Sequence, residues 1–308
     1  MKNIFVVGSL NMDLVFSVKK VPKQGETLLS NNFTMLSGGK GANQAVASSF
    51  LGSTTYMIGN VGQDPFGNTI IDNLKLAGVY TDNIHKTIEK QTGVACVILS
   101  NNDNRIILDQ GANGFTYYEQ VRKALKELAK KDDVFLTQLE IPVNTVVKSI
   151  VLAKNMGLKT ILNPAPASIL PEEVYTYIDL IIPNEIEAEI ITGYERSNAD
   201  FDRLVVDFFI SKGVKEVVIT KGKQGLVYGN KKIVKKVDAF DVTVVDTTGA
   251  GDAFVGAIAS EISKGRDVLD SLTFASAASA IAVSRFGAQK SMPTISEVEC
   301  FIKGHSLV

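Results

Sequence analysis

Asp246-Thr247-Thr248-Gly249-Ala250-Gly251-Asp252 combines two glycines with two carboxylates within seven residues. It follows a run of β-branched residues, Val242-Thr243-Val244-Val245, and leads into an apolar segment, Ala253 to Ile258, with helical character. This order predicts a strand, a glycine-rich turn and the start of a helix. The N–H groups of a first helical turn have no partner within the helix, so they can bind an anion at this turn.

Asp252 is the unexpected residue of this motif. Gly249 and Gly251 remove side chains that would keep a phosphate away from the backbone, whereas a carboxylate beside such a site repels the phosphate. The carboxylate is explained if it accepts a proton from a substrate hydroxyl while the N–H groups hold a transferring phosphoryl group. The alternative is an ordinary turn in which Asp252 favours the helix dipole.

The composition is that of a soluble α/β protein with a sizeable core. The chain has 308 residues, of which 45% are apolar and 21% are charged, and its net charge is −1. A length of this order suits one large domain. The near-zero net charge indicates neither nucleic acid nor an acidic membrane as a partner.

Several features predict a cytoplasmic protein. The only two cysteines, Cys96 and Cys300, lie far apart and fit neither a metal site nor a disulfide scaffold. The short apolar run near the start ends at Gly8 and lacks a cleavage pattern of small residues. No apolar run reaches the length of a membrane span.

Short β-branched runs alternate with amphipathic segments along most of the chain. The predicted strands are Ile4 to Val7, Val134 to Thr137, Thr160 to Leu162, Leu180 to Ile182 and Val217 to Thr220. The predicted helices between them include Tyr118 to Lys130, Val143 to Met156 and Asp200 to Ser211. This alternation predicts a doubly wound α/β fold around a mainly parallel sheet, with ligands bound beyond the carboxyl ends of its strands.

Four further strands interrupt the alternation. They are Leu14 to Lys19, Leu28 to Met35, Gly93 to Leu99 and Arg105 to Asp109. A strong turn signal, Ser100 to Asn104, joins the last two. Inserted antiparallel strands would form a small accessory sheet, as a lid or an oligomer contact, and the alternative is an irregular edge.

Gly38-Gly39-Lys40-Gly41-Ala42-Asn43-Gln44 is the second glycine cluster, and it opens a predicted helix. It is not a phosphate-binding P-loop, because glycine follows Lys40, and it is not a dinucleotide fingerprint, because Gln44 replaces the third glycine. Lys40 and Asn43 would offer donors to a polyhydroxylated ligand. The alternative is a tight turn.

Other polar residues follow predicted strands, so they share one edge of the sheet. Asn11 and Asp13 suit recognition of vicinal hydroxyls, or a turn or helix cap. Asn184 and Glu187 are spaced like a capping box. The remaining polar strand ends are Glu140 and the segment 220–225. The segment 220–225 would bind nucleotide phosphates or form a hairpin turn.

Taken together, these residues resemble the ribokinase-like carbohydrate kinase family. The resemblance runs from Gly8-Ser9-Leu10-Asn11-Met12-Asp13 to Gly287-Ala288-Gln289, and the segments Gly38 to Asn43 and Asp246 to Asp252 resemble the two signature motifs of that family. Asn163-Pro164-Ala165-Pro166-Ala167 and the segment Pro183 to Glu189 are also similar to it. The resemblance implies a single kinase domain over residues 1–308, with a β-sheet lid whose strands lie within 14–36 and 92–110 and which forms a homodimer contact.

The resemblance also implies a role for each matching residue. Asp252 would be the catalytic base, and Gly249, Ala250 and Gly251 would form the anion hole. The sugar would be held by Asn11, Asp13, Gly39, Lys40, Gly41, Asn43, Glu140 and Asp252. ATP would contact Asn184, Thr220, Gly222, Gly225, Gly251 and Ser276, which stands where relatives commonly carry Asn or His. Glu187 would organise Mg²⁺, and K⁺ would lie among Asp246, Thr248, Ala282, Arg285, Gly287 and Ser291.

The implied activity is ATP-dependent phosphorylation of D-ribose at O5. The alternatives are a kinase for deoxyribose or another small sugar or nucleoside, and a catalytically silent sugar-binding regulator. Asp252 argues against the regulator, because a silent protein has no need of a base.

Overall fold

A computed structural model of the chain describes residues 1–100 and 103–305. The strands are β1 (Ile4–Val7), β2 (Asn11–Ser17), β3 (Asn32–Gly38), β4 (Thr55–Gly62), β5 (Tyr80–Thr87), β6 (Gly93–Ser100), β7 (Asp103–Asp109), β8 (Val134–Thr137), β9 (Lys159–Leu162), β10 (Leu180–Ile181), β11 (Glu216–Thr220), β12 (Leu226–Asn230) and β13 (Val234–Val237). The helices are α1 (Lys40–Phe50), α2 (Pro65–Leu76), α3 (Tyr118–Leu128), α4 (Val143–Asn155), α5 (Glu185–Thr192), α6 (Phe201–Ser211), α7 (Ala250–Ser263), α8 (Val268–Val283) and α9 (Ile295–His305). Among these helices, none is both long and apolar enough to cross a membrane.

The larger sheet has nine strands in the order β13-β12-β11-β10-β9-β8-β1-β4-β5. The strands from β11 through β5 in this order pair in parallel, and β12 and β13 extend the sheet as antiparallel strands. The prediction of a mainly parallel, doubly wound α/β fold is confirmed. The carboxyl ends of β1, β8, β9 and β10 therefore lie side by side.

Helices cover both faces of this sheet, because successive side chains of a strand point to opposite faces. Ile4 and Val6 of β1 belong to the core under α1, α2, α7 and α8. Phe5 and Val7 belong to the core under α3, α4 and α6. All four side chains are fully buried, so β1 is a central strand with its end at the middle of the edge.

The smaller sheet has four strands in the order β3-β2-β6-β7. The accessory sheet was predicted to be antiparallel, but its two central strands, β2 and β6, are parallel because each enters from the main sheet at the same edge. Its first two strands begin and end differently from the predicted segments, since β2 starts at Asn11 and β3 ends at Gly38. Of the predicted turn between β6 and β7, Asn101 and Asn102 lie outside the described residues.

The predicted strand from Val242 to Val245 is wrong. The segment has no strand conformation, and Val244 and Val245 are each 59% exposed. Instead of joining a sheet edge, the N–H groups of Val245 and Asp246 both donate to the Val283 carbonyl at the end of α8. Its β-branched residues favour extended backbone, but backbone hydrogen bonds to a neighbouring strand are what make a strand.

Candidate active site

The two glycine motifs meet at Asp252, although they are more than 200 residues apart in sequence. Asp252 lies in the first turn of α7 and is 8% exposed. Its Oδ2 accepts a hydrogen bond from Asn43 Nδ2 at 2.9 Å, and its Oδ1 accepts one from Gln44 Nε2 at 2.9 Å. Asn43 and Gln44 are neighbours in the first turns of α1, so the starts of α1 and α7 form one site.

The turn before Asp252 leaves an accessible helix N-terminus. Gly249 has a φ of 78°, which favours glycine, and it precedes the first residue of α7. A Cβ atom on Gly249 would lie 3.0 Å from Ala288 Cα, whereas a Cβ atom on Gly251 would meet no atom within 4 Å. The backbone at Gly251 therefore faces open space, where an anion can approach the N–H groups of the first turn.

The predicted sugar-binding residues of the glycine cluster Gly38 to Gln44 lie against Glu140. Gly39 has a φ of 89° and turns the chain into α1, and the Lys40 N–H donates to Glu140 Oε2 at 3.3 Å. Ser9 Oγ donates to the same Oε2 at 2.5 Å. At Gly41 a Cβ atom would lie 2.7 Å from the Gly8 carbonyl carbon, so this glycine lets α1 approach β1 closely.

Asn11 and Asp13 lie in β2 of the smaller sheet, not in a turn or helix cap. Glycines on the neighbouring strands make room for both side chains. A Cβ atom on Gly38 would lie 2.2 Å from Asp13 Oδ2, and one on Gly93 would lie 2.4 Å from Asn11 Oδ1. Both polar side chains are thus accommodated where the smaller sheet leaves the main sheet.

Burial raises the pKa of the Asp13 carboxyl to about 7, and repulsion from Glu140 and Asp252 adds to the rise while Lys40 opposes it. Burial also raises the pKa of Glu187, against the hydrogen bond from the Asn184 N–H. Burial favours the neutral form of Lys40, but the surrounding carboxylates outweigh it and raise its pKa overall. Lys40 is therefore the central cation of an otherwise acidic site.

The predicted nucleotide-binding residues lie at the ends of β10 and β11. Asn184 caps α5, and its Oδ1 accepts from the Glu187 N–H at 2.8 Å while Glu187 Oε2 accepts from the Asn184 N–H at 2.8 Å. The capping-box interpretation is confirmed as geometry. Thr220 forms a β-bridge with Asn184, so these residues are neighbours.

The segment after Thr220 is the hairpin connection between β11 and β12. Gly222 and Gly225 have φ values of 53° and 83°, and a Cβ atom on Gly225 would lie 2.0 Å from the Val237 carbonyl oxygen. Ser276 is half-buried in α8, one turn before Ser279, whose hydroxyl donates to the Ala250 carbonyl at 3.0 Å. Ser276 is therefore on a helix that packs beside the start of α7.

Most of the predicted cation-binding residues lie in two loops, one before α7 and one after α8. The Asp246 carboxylate joins the two loops by hydrogen bonds. Asp246 Oδ1 accepts from the Thr248 N–H and its Oδ2 from the Gly287 N–H, each at 2.9 Å. The Arg285 guanidinium points elsewhere, to Glu297 Oε1 at 2.6 Å, so only the backbone of Arg285 is available to this loop. Ala282 and Ser291 are fully buried near the two ends of the second loop.

Several residues of the site carried no sequence signal of their own. They are Ser9, Gln44, Asn113, Gln138, Asn163 and Gln289. Each is a neutral polar residue whose side chain hydrogen-bonds to a residue more than 90 positions away in the sequence. Ser9, Asn163 and Gln289 fell within segments that resembled the family, and for these three residues the resemblance was the available indication.

A buried carboxylate beside a helix N-terminus, near polar strand ends, suits the transfer of a phosphoryl group to a hydroxyl. The sequence profile of the pfkB family carbohydrate kinases matches residues 1–295. Ribokinase of Bacillus subtilis is 40% identical over 301 residues, covering 97% of this chain and 99% of that protein. The chain belongs to the pfkB family of carbohydrate kinases.

Solved structures and further relatives agree with this assignment. The structure of Arabidopsis thaliana ribokinase complexed with ribose and ATP superposes with a TM-score of 0.89 at 31% identity, covering 98% of this chain and 99% of that one. A deoxyribokinase of Salmonella typhi is 36% identical over 299 residues, covering 96% of this chain and 97% of that protein.

Proposed function

We propose that the protein transfers the γ-phosphoryl group of ATP to O5 of D-ribose. The observation that carries the proposal is the position of Asp252, buried at the start of α7 and hydrogen-bonded to Asn43 at 2.9 Å. This geometry brings a base for the hydroxyl next to a helix N-terminus for the phosphoryl group. The identity of the sugar and of the nucleotide is inferred from the ribokinase relatives.

In this reaction Asp252 accepts the proton of the primary hydroxyl as O5 attacks the γ-phosphorus and ADP leaves. The N–H groups around Gly249, Ala250 and Gly251 stabilise the charge that develops on the transferring group. Lys40, surrounded by carboxylates and held protonated, places a positive charge close to the same atoms. The remaining contacts align the two substrates, which supplies a large share of the rate.

Ribose would be held by residues of both glycine clusters, the lid entrance and the segment after β8, which are Asn11, Asp13, Gly39, Lys40, Gly41, Asn43, Glu140 and Asp252. The orientation of Asn11 follows from Asn113. Asn113 Oδ1 accepts from the Leu10 N–H at 2.8 Å, so its Nδ2 must be the atom that donates to Asn11 Oδ1 at 2.7 Å. Asn11 therefore turns its own Nδ2 towards the ligand, as a donor for a sugar hydroxyl.

ATP would lie along the ends of β10 and β11 and contact Asn184, Thr220, Gly222, Gly225, Gly251 and Ser276. The donor set fits Mg²⁺, because Mg²⁺ in kinases is held mainly by phosphates and waters with one or two carboxylates. Glu187 is hydrogen-bonded to Asn184 beyond the end of β10, and it would orient the waters of the ion. When bound, Mg²⁺ neutralises charge on the phosphates.

The two loops joined by Asp246 fit a monovalent ion such as K⁺. Oxygen atoms of Asp246, Thr248, Ala282, Arg285, Gly287 and Ser291 would surround it, most of them backbone carbonyls. Both carboxylate oxygens of Asp246 already fix the loop backbone. An ion there would order the turn before Gly249 without touching the sugar.

We further propose that residues 1–308 form one kinase domain whose smaller sheet acts as a lid over the sugar and as the contact of a homodimer. Apolar side chains project from this sheet into solvent, including Met35 at 55%, Ile106 at 56% and Ile107 at 68% exposure. A second copy of the sheet would cover them. The free thiols Cys96 and Cys300, together with the use of ATP, support a cytoplasmic location.

The alternative with specific support is a deoxyribose kinase, because a deoxyribokinase is among the relatives. Deoxyribose lacks the C2 hydroxyl, so it would leave a buried polar group of the Asn11 and Asp13 pair without a partner. That loss costs about 1–3 kcal/mol, or roughly 5- to 150-fold in kcat/KM. We expect wild type to prefer ribose by this factor, and Asn11→Met to narrow the preference mainly by weakening ribose.

The measurement is kcat/KM for both sugars in wild type and in Asn11→Met. Equal values for ribose and deoxyribose in wild type would contradict the assignment of ribose and favour the alternative. An equal loss for both sugars in Asn11→Met would show that Asn11 supports the fold of the lid entrance instead of selecting the sugar.

A further inference from the structure

A buried chain of amides runs from Asp252 to the end of β10. Gln44 Nε2 donates to Asp252 Oδ1 at 2.9 Å and to Asn163 Oδ1 at 3.0 Å, and Gln44 Oε1 accepts from Gln138 Nε2 at 2.6 Å. Asn163 Nδ2 in turn donates to the Ile182 carbonyl at 2.8 Å. Gln44 and Gln138 are fully buried.

The direction of every hydrogen bond in this chain is fixed from its far end. The Ile182 carbonyl can only accept, so Asn163 presents Nδ2 to it and Oδ1 to Gln44. Gln44 must then present Nε2 to Asn163, and the second hydrogen of the same nitrogen points at Asp252. A flipped Gln44 amide would set an oxygen against both the Asp252 carboxylate and Asn163 Oδ1, which is electrostatically unfavourable.

We propose that Gln44 is a positioning residue for the catalytic base, an inference that rests on the proposed function. Asn43 and Gln44 each donate to a different oxygen of Asp252, so two adjacent residues of α1 fix the plane of its carboxylate. A carboxylate held by one donor would still rotate about its Cβ–Cγ bond. With both donors in place, the free lone pairs of Asp252 keep one direction, in which the sugar hydroxyl is bound.

The competing explanation is that Gln44 only provides hydrogen-bond partners for the buried polar side chains of Asn163 and Gln138. The variant Gln44→Met has nearly the same shape and removes the donor to Asp252. We expect kcat to fall roughly 10- to 100-fold, as is typical for partners that orient a functional group. The KM values for ribose and ATP should stay within about twofold, because Gln44 is too deeply buried to touch either substrate.

Ser48→Ala is the matched control. Ser48 lies one turn further along α1, is fully buried, and donates from its hydroxyl to the Gln44 and Gly256 carbonyls at 2.8 and 3.1 Å. The variant therefore also loses a buried hydrogen bond between α1 and α7, but it leaves the donors to Asp252 in place. We expect a lower melting temperature with kcat within about twofold of wild type.

The decisive measurement is a double-mutant cycle with Asp252→Asn. If Gln44 acts through the base, Gln44→Met should lower kcat by less than twofold when Asp252 is already replaced. The full 10- to 100-fold loss, repeated in the Asp252→Asn background, would overturn the proposal. So would wild-type kcat in folded Gln44→Met.

Two further provisions keep the outcomes distinct. If Gln44→Met does not fold, the same cycle is run with Gln44→Leu, which removes the same donor without setting a new oxygen against Asp252. A wild-type protein that phosphorylates no sugar would contradict the proposed function itself, whereas an active wild type with an active Gln44→Met would contradict only the positioning role.

Discussion

At the scale of single residues, the site sets the half-buried Lys40 cation among the carboxylates of Asp13, Glu140, Glu187 and Asp252. Asp13 carries the clearest consequence, because its pKa is raised from an ordinary value of 3.8 to about 7 by burial and by repulsion from Glu140 and Asp252. In the sugar-free protein, folding therefore takes up a proton at Asp13 between these two pH values. The ionised Asp13 carboxylate at neutral pH therefore lowers the stability of the sugar-free protein.

This cost has a defined pH dependence. A raised folded-state pKa means that the free energy of unfolding falls as pH rises from about 4 to about 7, at about 1.4 kcal/mol per unit. Replacing Asp13 with Asn removes that titration. We expect Asp13→Asn to gain stability over wild type by up to about 3 kcal/mol between pH 5 and pH 8, measured by urea denaturation without sugar.

The control for this experiment is Asp72→Asn, which replaces an exposed carboxylate on α2. Its stability difference from wild type should be nearly the same at both pH values. A pH-independent difference for Asp13→Asn as well would contradict the raised pKa of Asp13.

At this scale the sequence revealed the charged residues, but not Gln44 and Asn113, which orient Asp252 and Asn11. Asp252 and Lys40 stood out because a carboxylate and an ammonium beside glycine turns have few structural explanations. Gln44 and Asn113 gave no such signal, because a neutral amide is common in any helix or turn. Their roles depend on which partner folding brings within 3 Å, and that distance is a property of the tertiary structure.

At the scale of elements, the site depends on the close contact between α1 and α7. Gly256 lies one turn after Asp252 in α7, and a Cβ atom there would lie 2.5 Å from Ala47 Cβ and 2.9 Å from the Gln44 carbonyl oxygen. Neither atom is at the end of a flexible side chain. Helix α1 therefore packs directly against the backbone of α7 at Gly256. This close packing brings Asn43 and Gln44 to Asp252.

Gly256→Ala should force these two helices apart. We expect a loss of about 1–3 kcal/mol in the free energy of unfolding, as for overpacked cores, together with a lower kcat. Gly304→Ala near the end of α9 is the matched helical control, because its Cβ atom would meet nothing within 4 Å. That variant should be equally stable or more stable by up to about 1 kcal/mol. Unchanged kcat and stability in Gly256→Ala would contradict the packing argument.

Elements with a clear hydrophobic periodicity were predicted to within a few residues. Elements that depend on a pairing strand elsewhere in the chain were not. β1 and β8 match their predicted limits, and α4 begins where expected, because buried strands and amphipathic helices have distinct patterns. The segment Val242 to Val245 has a strand composition without a strand partner. The parallel pairing of β2 with β6 was missed because a turn signal reports only on the strands it joins.

At the scale of the whole molecule, the smaller sheet stands beside the main domain with few side chains to cover it. Its own buried cluster consists of Val15, Ala95 and Val97, so its stability as an isolated sheet is limited. Exposed isoleucines on both faces of its edge strand β7 favour pairing with a second copy. The lid and the dimer contact would then be one structural unit.

The variant Ile106→Lys/Ile107→Lys tests this arrangement by placing a charge on each face of β7. We expect wild type to sediment as a dimer at micromolar concentration and the double variant to sediment mainly as a monomer, because burying unpaired ammonium groups is costly. Ile88→Lys, on a residue that is 85% exposed outside the sheet, should leave the dimer intact. A monomeric wild type, or a dimeric double variant, would contradict the lid contact.

The central claim is that Asp252 removes the proton from the primary hydroxyl of ribose while α7 receives the phosphoryl group. Its most direct test combines ATP and ribose with wild type and with Asp252→Asn, identifies the product by NMR, and measures binding of both substrates by calorimetry. We expect wild type to form ribose 5-phosphate and ADP in equal amounts. We expect Asp252→Asn to bind both substrates but to lose about 10²–10⁴ in kcat. Turnover of Asp252→Asn at the wild-type rate, or a wild type without ribose-dependent ADP formation, would contradict it.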